Sequence, residues 1–98
     1  MHVPYRLSGI NFAWDPAKAK SNLRKHGIAF ETACEVFLDP FVRLIATEVV
    51  RGEERETAVG MTSDWRLLRV TYVFRSQIVR LISARRVTPE ERRNYEDQ

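Results

Sequence analysis

Trp14-Asp15-Pro16-Ala17-Lys18-Ala19-Lys20-Ser21-Asn22-Leu23-Arg24-Lys25-His26-Gly27-Ile28-Ala29-Phe30-Glu31 reads as a helix with both ends specified. Asp15 is an N-cap acceptor, and Pro16 falls at the first helical position, where its missing N–H is harmless. Gly27 supplies the left-handed residue that closes a helix. The spacing predicts a helix over residues 16–26, with Ala19, Leu23 and His26 on one face and Lys18, Asn22 and Lys25 on another. His26 therefore shares an apolar stripe and is expected to be partly buried.

Working outward, residues 10–14 read as a short strand and residues 1–9 as a loose arm. A second helix is expected over about 30–38, where Phe30, Ala33, Cys34, Phe37 and Leu38 make a stripe that Asp39-Pro40 ends. Four strands follow, at about 41–50, 55–61, 66–74 and 77–85, with turns at Arg51-Gly52, Thr62-Ser63-Asp64 and Arg75-Ser76. Links this short favour antiparallel hairpins. The stretch Leu67 to Phe74 is apolar on both faces apart from Arg69 and Thr71, which predicts a central strand. Thr88-Pro89-Glu90-Glu91 is a capping box that opens a third helix through Arg92, Arg93 and Tyr95. The expectation is one α+β domain over residues 1–98, with two N-terminal helices, a four-stranded antiparallel sheet and a C-terminal helix.

Composition narrows the function. Ninety-eight residues, 44% hydrophobic and 30% charged, suit one soluble domain, and no apolar run is long enough for a signal peptide or a membrane span. The cytoplasm is the expected location, with no membrane partner. The lone cysteine, Cys34, excludes an internal disulfide and reads as a buried structural thiol. Thirteen of the sixteen basic residues are arginine, and they thicken toward the end at Arg75, Arg80, Arg85, Arg86, Arg92 and Arg93. Arginine grips phosphate at two points, although a GC-rich genome would enrich it as well.

Neither histidine, His2 or His26, has carboxylates at metal-ligand spacing, and no glycine-rich phosphate loop or serine elbow is present. No cofactor is expected. Arginines, one histidine, one lysine, a few glutamates and Tyr95 suit metal-free cleavage of RNA. There the ribose 2′-OH is the nucleophile, and the protein need supply only a base, an acid and positive charge.

Phe12, Trp14, Asp15, Lys18, Asn22, Lys25, His26, Gly27, Ile28, Phe30 and Glu31 make one block, continued by Val36-Phe37 and Asp39-Pro40. Glu54-Arg55 with Gly60-Met61-Thr62 makes a second, and Ile82-Ser83-Ala84-Arg85-Arg86 with Glu91-Arg92 and Tyr95 a third. In this order the blocks resemble the BrnT toxins over residues 12–96. The resemblance implies a RelE-like fold, a translation-stopping endoribonuclease of a type II toxin–antitoxin pair, and a BrnA-like antitoxin partner. The complex would be of higher order through antitoxin dimerisation. It also implies functional weight at Lys25, His26, Glu54, Arg55, Arg85 and Arg86, with Arg69 and Tyr95 as candidate RNA contacts. The chain departs from the family in its long arm before Ile10, in Trp65 at a turn, and in Arg69 within a strand that is usually more apolar.

Each candidate also has a plainer reading. Lys25 and His26 meet the helix dipole, worth roughly 0.3–1 kcal/mol each without catalysis. Glu53, Glu54 and Glu56 suit a charged strand edge. Glu54 and Arg55 point to opposite faces of a regular strand, as do Arg85 and Arg86 unless the strand ends near Ala84. The reading adopted is a metal-independent endoribonuclease in which Glu54 or His26 takes the 2′-OH proton. Arg55, Arg85 and Arg86 hold the phosphate, and His26 or Lys25 serves the leaving oxygen. Its rivals are a non-catalytic nucleic-acid-binding module and a degenerate toxin kept as an antitoxin scaffold.

Overall fold

The sheet is the frame on which everything else rests, and it is larger than the sequence predicts. A computed structural model describes residues 1–98. In chain order the elements are β1 (Val3–Leu7), β2 (Ile10–Trp14), α1 (Pro16–His26), α2 (Phe30–Ala33) and a 3₁₀ helix (Cys34–Leu38). β3 (Arg43–Val50), β4 (Glu53–Met61), β5 (Leu67–Arg75), β6 (Ile78–Arg86) and α3 (Pro89–Glu96) follow. The strands form one sheet in the order β1-β2-β6-β5-β4-β3. All neighbours are antiparallel except β2 and β6, which run parallel and pair residues 11–13 with 78–80.

Three expectations are corrected. The four-stranded antiparallel sheet is a six-stranded mixed sheet. Residues 1–9 are not a loose arm, because Val3–Leu7 pair with Ile10–Trp14 across a turn at Ser8-Gly9, both at positive φ (49° and 82°). That is the geometry a two-residue hairpin demands. The second N-terminal helix is one α-turn followed by 3₁₀ helix. Its close seating on β4 leaves no room for a side chain at Gly60, where a Cβ would lie 2.8 Å from Val36 Cβ.

α1 forms where the sequence places it. Asp15 accepts from the Ala17 N–H at 2.8 Å, and Gly27 closes the helix at φ 69°. Its buried face is different from the expected one. Asn22 is buried at 4% exposure, whereas Leu23 is 52% exposed and His26 is exposed as well. α1 packs along β6. There the Asn22 side chain bonds the backbone of Ala84 in both directions and that of Ile28.

The core lies between the helical segments and one face of the sheet. It gathers Phe12, Trp14, Ile28, Phe30, Val36, Leu68, Val70 and Leu81. β5 is central as predicted, with Leu68 and Val70 wholly buried. Cys34 is buried here too, and loss of solvent, with Glu31 nearby, pushes its thiol up to about 12. Such a thiol is packing, not a nucleophile. α3 forms on its predicted capping box, with Thr88 and Glu91 bonded reciprocally. It buries no residue and lies on the other side of the sheet.

Candidate nucleic-acid interface

Side chains alternate between the two faces of a strand, so core residues on one face fix what the other carries. On β5, Leu68, Val70 and Tyr72 face the core, which sends Arg69, Thr71 and Val73 to the open face. Register then adds Thr57 and Val59 from β4, and Ser83 and Arg85 from β6. Arg80 and Arg85 are five residues apart and would point opposite ways on a regular strand. Pairing skips Ile82, since Thr71 faces Ser83 and Tyr72 faces Leu81, and this bulge returns Arg80 to the open face opposite Val73.

The open face therefore has a floor of three hydroxyls in one row, Thr57, Thr71 and Ser83, with arginines at both ends. Thr57 Oγ1 and Thr71 Oγ1 lie 3.2 Å apart. Arg69 and Arg85 flank the floor on one side, in register with Val59 and Arg43. Arg80 and Arg55 flank it on the other, roughly 14 Å away along the strands.

Each arginine pair shares one carboxylate. Arg80 Nη2 donates to Glu53 Oε1 at 2.6 Å, and Arg55 Nε is 3.7 Å from the same oxygen. Arg85 meets Glu91 through two bonds, at 3.1 and 3.2 Å. Arg69 Nε lies 3.2 Å from Glu91 Oε2, an ion pair that lacks hydrogen-bond alignment. Burial would raise the Glu91 carboxyl. Bonds from Arg85 and the Thr88 N–H, with the charges of Arg85 and Arg69, outweigh it and hold the group below the usual carboxylate range.

Four guanidinium groups against two carboxylates leave this face net positive. The Nε atoms of Arg55, Arg69 and Arg80 are buried and make no hydrogen bond within the protein, those of Arg55 and Arg69 meeting a carboxylate only as ion pairs. Unpartnered buried donors are costly, and an incoming oxyanion would satisfy them.

The face collects Arg55, Arg69 and Arg85 from among the residues singled out in the sequence. Glu54 is exposed and points to the opposite side, as the parity of β4 requires. Arg86 pairs with the core residue Leu68 and so projects away from Arg85 at the strand end. Lys25 and His26 sit exposed on the last turn of α1, on the core side of the sheet. Tyr95 anchors α3, its hydroxyl donating to Asp39 Oδ2 at 2.6 Å. Burial and Asp39 together push that phenol up to about 12.

Arg80 and Glu53 belong to the face and were not among the sequence candidates. A bulge hides Arg80, and Glu53 stands at a turn where an acidic edge explains it equally well. His2 also reaches this end, lining a cleft of about 220 Å³ with Ala13, Glu53, Val73 and Arg80. No helix is long and apolar enough to cross a membrane.

A family model described as "Ribonuclease toxin, BrnT, of type II toxin-antitoxin system" matches residues 14–91. Among solved structures, the chain is similar to the crystal structure of the Brucella abortus ribonuclease toxin, BrnT. Identity is 26% and the TM-score 0.62, over 76% of this chain and 92% of that one. No curated protein matches.

Proposed function

The chain belongs to the BrnT family of ribonuclease toxins of type II toxin–antitoxin systems, and from that premise we propose that it cleaves RNA internally on the arginine-lined face and so stops translation. The observation that supports this site is the trio of buried Nε donors that make no hydrogen bond within the protein, beside a floor of hydroxyls. In this reading Arg69 and Arg85 hold one phosphate and Arg55 and Arg80 a neighbouring one, each fork replacing a carboxylate contact with a phosphate contact. Charge that builds on the phosphorus oxygens during 2′-OH attack is met by guanidinium groups, and no metal ion is needed for it. Glu53 is the carboxylate at the Arg55–Arg80 end, and in this reading it, rather than Glu54 or His26, accepts the 2′-OH proton. The P–O5′ bond then breaks, leaving a 2′,3′-cyclic phosphate and a 5′-oxygen that takes its proton from water.

A toxin of this kind has a protein antitoxin as its partner. We take that partner to be BrnA-like, to cover the arginine face with acidic residues in the cytoplasm, and to build a higher-order complex by dimerising. Opposite charge favours such an encounter. Incubating RNA with the purified protein in EDTA tests the chemistry. Fragments ending in 2′,3′-cyclic phosphate are expected, and activity that vanishes in EDTA and returns with magnesium overturns the mechanism. Binding without cleavage would make the chain a nucleic-acid-binding module, and neither would make it a scaffold.

A further inference from the structure

The largest cleft in the molecule, about 590 Å³, runs beneath α3 and is unaccounted for by phosphate binding. Its apolar wall is Leu44, Ile45 and Val59, and its polar wall is Arg43, Asn94, Tyr95 and Asp97 with Glu91 at the mouth. Val59 lies in register with Arg69, and Glu91 is the residue that pairs with Arg69 and Arg85. The cleft therefore opens directly off the end of the arginine floor.

Folding alone does not account for its shape. Leu44 and Ile45 are 57% and 41% exposed, under a helix that buries no residue of its own. β3 carries an extra residue between Leu44 and Ala46, which breaks the regular alternation at this edge, and the neighbours Leu44 and Ile45 both line the cleft. α3 is held off the sheet at its far end by Tyr95 on Asp39, by Arg43 on the Asn94 carbonyl and by Gln98 on the Phe41 carbonyl.

A slot with apolar and aromatic sides, a side-chain amide and a guanidinium, next to a phosphate fork, has the chemistry of a nucleobase site. We propose that the cleft beneath α3 receives the base of the nucleotide whose phosphate Arg69 and Arg85 hold, and thereby sets the RNA sequence the protein prefers. This rests on the reading of the arginine face as the RNA site. It gives the polar helix a role as the roof of the slot. The exposed apolar wall stacks on the base, and Asn94 reads its edge.

Two measurements on the full chain separate this proposal from the nuclease reading. In the first, cut sites on an RNA of mixed sequence are mapped for the wild type, Ile45→Trp and Asn94→Ala. Ile45→Trp fills the slot, and Asn94→Ala removes an exposed amide from α3 without touching the arginines. A changed base preference beside the cut, on the order of tenfold at the favoured position, is expected. Identical cut-site profiles in all three proteins overturn the proposal and leave the nuclease reading intact.

In the second, binding of a 2′-O-methyl oligonucleotide is compared with that of the same oligonucleotide carrying one abasic position. Wild type is expected to lose roughly tenfold in affinity for the abasic form, and Ile45→Trp to bind both alike. This holds even if no cleavage occurs, in which case the nuclease reading fails and the base site stands. Equal wild-type binding of both forms overturns the base site, as does loss of antitoxin binding in Ile45→Trp with unchanged RNA behaviour.

Discussion

The carboxamide of Asn22 pairs with the backbone of Ala84 as a neighbouring strand would. The Ala84 N–H donates to Asn22 Oδ1 and Asn22 Nδ2 donates to the Ala84 carbonyl, both at 2.9 Å. β2 covers β6 only as far as Arg80 before the chain turns away into α1, and beyond that point the β6 backbone needs another partner. Asn22 provides it, and a third bond to the Ile28 carbonyl at 3.0 Å ties down the exit from α1. The next residue on β6 is Arg85, so this side chain on the core side fixes the strand that presents an arginine to the open face.

Asn22→Ala is accordingly expected to cost about 3 kcal/mol, because it strands backbone groups in a buried place. Urea denaturation measures it, through a lower midpoint at unchanged slope. Asn22→Asp should be no better, since a carboxylate cannot donate to the Ala84 or Ile28 carbonyl. A change under about 0.5 kcal/mol, the scale of an ordinary surface substitution, would contradict the role given to this amide.

The two adjacent arginines should separate in activity. Arg85→Ala removes a guanidinium from the open face and is expected to reduce cleavage by roughly 10²–10³, the scale of one transition-state donor. Arg86→Ala, on the other side of the strand, should cost under about tenfold, with cleavage assays on equal amounts of folded protein as the measure. Equal losses would mean that β6 presents both residues to the RNA.

Acid should weaken the hold of α3. The Glu91 carboxyl is depressed in the folded protein, so its contribution is complete above the unfolded value of about 4.3 and is lost as pH falls through the lower folded value. Denaturation midpoints taken between about pH 6 and 2.5 should therefore fall more steeply for the wild type than for Glu91→Gln. Glutamine still reaches the Thr88 N–H, so the capping box survives the change. Parallel curves would show that the pairing with Arg85 and Arg69 is energetically idle.

Gly60→Ala should destabilise by about 1–3 kcal/mol, because the added methyl meets Val36 Cβ at 2.8 Å and the Val36 carbonyl at 2.9 Å. A thermal melt reads this directly. Cleavage by the folded fraction should be preserved, since Gly60 faces the helical segments.

The helix ends were legible because capping is local. Asp15, Gly27 and Thr88 with Glu91 need only their own neighbours to act. β1 was legible in principle, since Val3, Tyr5 and Leu7 alternate before a Ser8-Gly9 turn, but all three remain at least partly exposed and the apolar signal is faint. The buried face of α1 was misread because a polar residue, Asn22, occupies its centre, and hydrophobic spacing cannot reveal an amide that serves another strand. The arginine face depended on a bulge at Ile82 that has no sequence signature, so Arg80 stayed out of view while Arg55, Arg69 and Arg85 came forward. Parity left Glu54 with Arg55, and Arg85 with Arg86, open to a bulge or an early strand end; β4 is regular there and β6 runs on through Arg86, so each pair parts to opposite faces.

The parallel contact of β2 with β6 also sets a timetable. Residues 11–13 leave the ribosome well before their partners at 78–80, and Asn22 is paired only once Ala84 follows it 62 residues later. Contacts so distant in sequence form late, after the local β3–β6 hairpins. A chain released before residue 84 lacks both Arg85, which completes the second arginine fork, and the backbone that locks α1. The arginine face is thus the last part of the molecule to be completed, waiting on the strand that supplies both Arg80 and Arg85.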